Sequence, residues 1–135
     1  MKPVGLKIYS FILLGTLLVS ACKHAVTAPD LYGKWNYTKL ESPGANPPSA
    51  EPEWKLQMDK PSIEFSKNNE LTIYWGGKVL SHGTFTIDGK NIRYKQVLAD
   101  GRTNEFPFYV TQFNGKEMVF ETLGKDGSRI TAVKQ

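Results

Sequence analysis

Residues 83–97 read GTFTIDGKNIRYKQV and contain two alternating runs joined by Asp88-Gly89-Lys90-Asn91. Apolar residues alternate with threonine before this turn, and mostly with basic residues after it. An Asp-Gly pair supplies the positive φ that a tight hairpin requires. A period of two with one polar face is typical of antiparallel strands that are solvated on one side. The stretch therefore predicts a β-hairpin with one buried face.

The same pattern continues on both sides of this hairpin, from Trp54 to the end of the chain. Short runs rich in β-branched and aromatic residues are separated by turn signals at Lys67–Glu70, Gly76-Gly77, Asp100-Gly101, Asn114-Gly115 and Lys125–Gly127. We predict an all-β domain, an antiparallel up-and-down β-barrel of about eight strands, because closure hides the apolar face and removes free edges. A two-sheet sandwich is the alternative, but sequential tight turns favour a meander.

Two neighbouring segments do not follow the strand pattern. Ser42–Glu53 contains four prolines and almost no apolar side chain. It predicts no regular element, because proline fixes φ and lacks a hydrogen-bond donor, and it is either a flexible loop or a partly extended lid. Trp54–Lys60 is the nearest approach to an amphipathic helix, but it is short and runs into Pro61. We therefore predict no helix in the domain.

Residues 1–21 have the organisation of a secretory signal peptide. Lys2 and Lys7 give a positively charged start, and Ile8–Val19 is a nearly continuous apolar run. This run has about a dozen residues, whereas a membrane-spanning helix needs about 20. The segment is therefore predicted to direct export rather than to span a bilayer.

The run Val19-Ser20-Ala21-Cys22 resembles the lipobox of bacterial lipoproteins. The resemblance implies cleavage before Cys22 and a lipid on its sulfur that attaches the protein to a membrane. Residues 22–30 would then be a lipidated tether and residues 31–135 the folded domain. Two or three acyl chains make such attachment durable, since one chain binds membranes only marginally. An ordinary secretory leader with a chance cysteine is the alternative.

The lipobox resemblance also predicts a location. It places the protein in a bacterial cell envelope. Lys23 follows the cysteine, where an acidic residue would resemble an inner-membrane retention signal. We therefore expect attachment to the outer membrane.

Composition argues against several function classes. Cleavage before Cys22 would leave 114 residues, which suits one domain, with a formal charge of +2 instead of +4. Lysine and arginine alternate with aspartate and glutamate, so the clustered basic face of a nucleic-acid-binding protein is not expected. Cys22 has no partner for an internal disulfide, so the domain must be stable without one.

The run Leu31-Tyr32-Gly33-Lys34-Trp35 is similar to the first strand of lipocalins and of small bacterial lipocalin-like lipoproteins. Avidin-like barrels open in a similar way. The patterns around Ile63–Asn69, Gly83–Gly89 and Met118–Phe120 extend the resemblance over most of the domain. It implies a cup-shaped barrel in which Trp35 closes one end and Lys134, or alternatively Arg129, packs over it. It also implies that the proline-rich loop lies at the cup mouth.

Aromatic residues are the remaining signal for a ligand site. The candidate lining residues are Trp54, Trp75, Tyr94, Phe106 and Phe108, with Gln96 as an inward polar group. Ordinary core packing is the alternative, because aromatic side chains fill small barrels well. Tyr74, Tyr109 and Phe113 fall on the opposite face by alternation. If exposed together, they would form a docking patch for a protein.

No pattern indicates catalysis, a cofactor or a metal. His24 and His82 lack further ligands at metal-binding spacing, and Ser81 beside His82 is not a triad signal, because strand neighbours point to opposite faces. The protein is therefore interpreted as a non-enzyme. Two functions stay open: a lipid-anchored protein that binds a small apolar or amphipathic ligand in its cup, and an anchored module that binds another envelope protein.

Overall fold

The structure, a computed structural model, describes residues 26–124 and 126–135. The predicted signal peptide, Cys22 and the first residues of the tether lie outside this part of the chain. Within it, α1 spans Ala28–Leu31 and α2 spans Glu53–Asp59. The strands are β1 (Gly33–Ser42), β2 (Ser49–Ala50), β3 (Ser62–Phe65), β4 (Glu70–Trp75), β5 (Lys78–Asp88), β6 (Asn91–Val97), β7 (Thr103–Phe113), β8 (Glu117–Thr122) and β9 (Arg129–Lys134).

Eight of these strands form a closed antiparallel barrel. The sheet runs β1-β3-β4-β5-β6-β7-β8-β9, and β9 pairs back with β1. The pairing of Trp35 with Lys134 belongs to this last ladder. The predicted all-β, up-and-down barrel is confirmed, and the closing ladder excludes the two-sheet sandwich.

The hairpin at residues 83–97 forms as its sequence predicts. Asp88 pairs with Asn91, and Gly89 between them has a φ of 59°. Phe85 and Tyr94 are cross-strand neighbours, and both are buried. This places the apolar face of the hairpin inside the barrel.

The two ends of the barrel differ. β1 begins at the end that also carries α1 and the β3–β4, β5–β6 and β7–β8 turns, and we call this the closed end. The opposite end, the open end, carries β2 and the β4–β5, β6–β7 and β8–β9 turns. The backbone N–H of Gly76 in the β4–β5 turn donates to the carbonyl of Asp59, at 2.7 Å, so α2 ends at the open end.

The closed end is filled with side chains. The indole Nε1 of Trp35 donates a hydrogen bond to the carbonyl of Leu31, at 2.8 Å. Leu31 and Trp35 are fully buried, and Val26 belongs to the same cluster. The folded domain therefore begins before Leu31, inside the segment drawn from the sequence as a tether.

The proline-rich segment contains one short strand, so the prediction that no regular element forms there was wrong. Ser49 pairs with Ser42 and Ala50 pairs with Glu41. The backbone N–H of Glu51 adds a hydrogen bond to the carbonyl of Leu40, at 2.8 Å. The part of β1 nearest the open end is free to pair with β2, because β3 is only four residues long and does not extend that far.

Helix α2 also contradicts the expectation of no helix. Pro52 stands at its N-cap in an extended conformation, and Lys60 ends it in the left-handed conformation. Only Leu56 of its seven residues is buried. The helix contacts the barrel through a single turn. Its sequence therefore lacks the repeated apolar spacing by which an amphipathic helix is recognised.

Three β-bulges interrupt the alternation of inward and outward residues. They lie at Thr38 on β1, Leu80 on β5 and Thr111 on β7. A bulge inserts one extra residue and so reverses which face the following residues use. Phe113 therefore packs against the core beside Trp35, with ring centroids 6.0 Å apart. Its predicted outward orientation was wrong.

Candidate functional site: the cup at the open end

Side chains that face the barrel interior change from buried to partly exposed along its length. Most of those in the closed half are fully buried, namely Trp35, Phe65, Leu71, Phe85, Ile92 and Met118, whereas Ile87 and Phe113 are partly exposed. Those nearer the open end are partly exposed: Tyr37, Leu40, Ile73, Ser81, Gln96 and Phe106. The inward side chains near the open end are thus partly exposed, and we call this half of the barrel the cup.

A connected set of aromatic rings forms the floor of the cup. Tyr94 packs against Phe106 and Phe108, with centroid separations of 5.3 and 5.7 Å. Phe108 continues to Phe120 at 5.3 Å, and Phe120 meets Tyr37 edge-on at 6.3 Å. The five rings come from β1, β6, β7 and β8, so the floor spans the barrel between different strands.

Three polar side chains meet on the inner wall beside this floor. The Ser81 and Tyr94 hydroxyls share a hydrogen bond, and the Gln96 amide Nε2 donates to the Ser81 Oγ at 2.9 Å. We call these residues the polar cluster. Its members lie on the neighbouring strands β5 and β6.

A close approach of two strands brings the polar cluster together. Gly83 pairs with Gln96, and a Cβ at Gly83 would lie 1.9 Å from the carbonyl oxygen of Lys95. Only glycine allows the backbones to come this near, which is a known role of glycine in strands. The approach holds Ser81 and Gln96 within hydrogen-bonding distance of each other.

The tyrosines of the cup are held in their neutral form. Burial, together with the neighbouring Tyr94, raises the pKa of Tyr37. Burial also raises the pKa of Tyr94, although its hydrogen bond with Ser81 acts in the opposite direction. A phenol is already neutral at neutral pH, and these upward shifts extend the neutral form to higher pH, so both groups act as uncharged hydrogen-bonding groups.

Helix α2 completes one side of the cup. β3 pairs with β1 only as far as Asn36, and α2 follows β2 where a longer β3 would continue. Two grooves of about 370 and 440 Å³ flank the helix, and Leu56 lines both. Tyr37 lines one groove and Leu40 the other. Since both side chains also pack against the barrel core, the grooves reach the cup wall beneath α2.

The candidate lining residues occupy different places in the structure. Tyr94 and Phe108 are buried in the floor, Phe106 is a partly exposed ring of the same floor, and Gln96 is partly exposed above it. Trp75 is partly exposed at the end of β4, on the rim. Trp54 is 62% exposed on the outer face of α2, and the structure does not bring it to the other candidates.

Sequence reasoning missed Tyr37, Ser81 and Phe120 as residues of the cup. Tyr37 lies next to the bulge on β1 and Ser81 next to the bulge on β5, where simple alternation is interrupted. Phe120 shows a regular alternation with Met118. Among Tyr37, Ser81 and Phe120, only Phe120 thus carried a sequence signal for an inward position.

The pair Trp35 and Lys134 lies at the closed end, away from the cup. Lys134 Nζ is 5.5 Å from the centre of the Trp35 ring. A Cβ at Gly33 would lie 3.1 Å from Lys134 Cε, so the lysine stem packs tightly over the start of β1. Arg129 instead pairs on the outer wall with Glu121, at 2.8 Å.

The outer wall has no joined aromatic patch of the kind expected from Tyr74, Tyr109 and Phe113. Tyr74 is partly buried, where its hydroxyl bonds to Glu64 at 3.3 Å and the Lys34 ammonium lies 4.7 Å from its ring. Tyr109 stands alone on β7. The large exposed apolar side chains lie instead mainly around the open end, at Trp54, Met58, Val79, Leu80, Val97 and Leu123.

Residues 26–124 and 126–135 contain no group of three metal-ligating His, Cys, Asp or Glu side chains. His82 is exposed and points outward from β5. None of the helices in the same residues is long and apolar enough to cross a membrane.

A closed eight-stranded meander of this size has an interior that side chains can fill or that can hold one small ligand. A family model described as a lipocalin-like domain matches residues 31–120, and the chain belongs to that family. None of the curated proteins and none of the solved structures searched matches it significantly. The match stops before β9, yet β9 closes the barrel by pairing with β1.

Proposed function

We propose that the protein is a lipid-anchored component of a bacterial cell envelope that binds a small apolar or amphipathic ligand in its cup. The observation that carries this proposal is the partly exposed inner lining around the open end. Aromatic and aliphatic side chains there remain in contact with water although they face the barrel interior. Covering apolar surface contributes about 25 cal/mol per Å², so a ligand that fills the cup gains this free energy.

We infer that the proposed anchor lies at the opposite end of the domain from the cup. Three residues separate Cys22 from Val26, which is buried near the closed end. Even fully extended, a chain of four residues spans about 14 Å. A lipid on Cys22 therefore keeps the closed end beside the membrane, and the cup opens away from that membrane into the surrounding compartment.

Replacing Cys22 with serine tests the anchor. The variant is expected to move from the membrane fraction to the soluble fraction, because serine lacks the thiol that accepts the lipid. His24→Ser is a matched control within the same segment and should stay with the membrane. Fractionation followed by mass measurement of the intact protein gives both location and lipid mass. Cys22→Ser protein that still pellets with membranes would refute the anchor.

Native mass spectrometry of protein extracted from its host tests the cup. We expect the mass of one retained, non-covalent small molecule. Ser81→Trp places an indole in the cup and should abolish retention, whereas His82→Trp places the same group on the outer wall and should not. Circular dichroism checks that both variants are folded. If neither wild-type protein nor His82→Trp carries a ligand, the binding function is wrong.

The apolar residues around the open end support a second candidate function, an anchored module that binds an envelope protein. Trp54 and Met58 project from α2, and Val79 and Leu80 lie near the adjoining β4–β5 turn. A protein partner would cover these side chains. A ligand-free native mass spectrum, together with a protein that co-purifies with wild type but not with Trp54→Ser/Met58→Ser, would favour this function over the first.

A further inference from the structure

No carboxylate of the described strand ladders falls on an inward register position, although Glu53 of α2, the helix that completes one side of the cup, lines both flanking grooves. Charged side chains of the strands, such as Arg93, Glu105 and Glu121, point outward and form pairs on the outer wall, where Arg93 contacts Asp88 at 3.0 Å. In the described ladders, only two lysines fall on inward register positions. Lys134 is held over Trp35 beneath the floor, and Lys78 is exposed at the rim beside Trp75.

The polar cluster is therefore the main polar feature at the level of the floor. Gln96 uses one amide hydrogen to reach Ser81. Within the described part of the chain, its Oε1 atom receives no hydrogen bond, and the side chain is partly exposed to the cup. The cluster thus offers an amide carbonyl and an amide N–H to a ligand, set in a frame of aromatic rings.

This chemistry suits an uncharged polar group. A hydroxyl, carbonyl or amide can both donate to and accept from the Gln96 amide. A carboxylate or an ammonium at the same place would be taken out of water without an opposite charge, and such burial costs several kcal/mol. Aromatic rings on the opposite side favour a flat or chain-like apolar body.

We propose that the cup selects uncharged amphipathic ligands, which insert with their polar group on the Ser81–Tyr94–Gln96 cluster and their apolar body against the aromatic floor and rim. This deepens, and rests on, the proposed function of small-ligand binding. The class excludes free fatty acids and alkylamines as preferred ligands. It includes long-chain alcohols, amides and neutral esters.

Three probes with the same tail separate this inference from the function on which it rests. Dodecanol, dodecanoate and dodecylammonium are titrated below their aggregation concentrations into the Cys22→Ser protein at pH 8, and heat is measured by calorimetry. We expect dodecanol to bind at least about tenfold more tightly than either ion, which corresponds to about 1.4 kcal/mol. If no probe binds, the proposed function itself fails. If an ion binds as tightly as dodecanol, the selectivity is wrong while the function stands.

A charge placed in the cup should reverse the preference. Gln96→Lys brings an ammonium to the polar cluster and is expected to tighten dodecanoate binding by about tenfold, the scale of a charge-assisted hydrogen bond. Thr84→Lys adds the same charge on the outer face of β5 and should leave all three affinities unchanged. Equal gains in both variants would show a general electrostatic effect and overturn the assignment of the cluster. Gln96→Leu gives a second, uncharged check, since it should weaken dodecanol and leave dodecanoate unaffected.

Discussion

Replacing Trp35 with alanine is expected to lower the free energy of unfolding by about 3–5 kcal/mol, the usual range for deleting a large buried aromatic side chain. Trp35 is fully buried, and its indole N–H is bonded to Leu31. Its removal leaves a cavity at the closed end and frees the Leu31 carbonyl. Small domains are stable by about 5–15 kcal/mol in total, so the variant should lose a large share of its stability and unfold at a much lower urea concentration.

Trp54→Ala is the matched control for this prediction. It removes the same side chain from a position that is 62% exposed, and surface changes of this kind alter stability by about 0.5 kcal/mol or less. Urea unfolding followed by circular dichroism measures both variants under identical conditions. A midpoint for Trp35→Ala as high as that for Trp54→Ala would contradict the role of Trp35 at the closed end.

The strands of the barrel could be predicted because each one carries its own signal. Alternation and Asp-Gly or Asn-Gly turns are local, and the tight turns leave a meander as the simplest topology. The lipocalin-like resemblance at Leu31–Trp35 also indicated which end of the barrel is closed. These signals need no knowledge of distant contacts.

The bulges could not be predicted in the same way. Thr38, Leu80 and Thr111 are ordinary strand residues, and nothing in their local sequence marks an extra residue in the ladder. The bulge depends on how the strand fits a curved neighbour, which is a property of the closed barrel. Phe113 was consequently assigned to the wrong face, and Tyr37 and Ser81 were absent from the predicted site.

Trp54 shows a second limit of sequence reasoning. A tryptophan after a loop is a reasonable candidate for a ligand site, since aromatic side chains often line such sites. Here α2 forms because the short β3 leaves a gap in the wall, and the helix uses Leu56 to fill it. Trp54, two residues earlier, then points to solvent. Whether Trp54 or Leu56 faces the barrel depends on how the helix packs against β1, and the sequence alone does not show that packing.

The substitution Gly83→Ala is expected to change both the stability of the barrel and the geometry of the polar cluster. The new Cβ would lie 1.9 Å from the Lys95 oxygen and 2.8 Å from its carbonyl carbon. Both atoms belong to the backbone, so no side-chain rotation relieves the overlap, and β5 and β6 must separate. Overpacking in a close-packed interior costs about 1–3 kcal/mol or more. We expect Gly83→Ala to lower the free energy of unfolding by about 3 kcal/mol, because the strain falls on the β5–β6 ladder of the closed barrel.

Separation of β5 from β6 should also dismantle the polar cluster, since Ser81 lies on one strand and Tyr94 and Gln96 on the other. In conditions where Gly83→Ala is still folded, its affinity for dodecanol should therefore fall by more than its loss of stability alone explains. Thr84→Ala, on the exposed face of the same strand, should keep both properties. Wild-type stability in Gly83→Ala would show that the two strands have room for the methyl group. Wild-type dodecanol affinity in the folded variant would show that the close approach does not position the cluster.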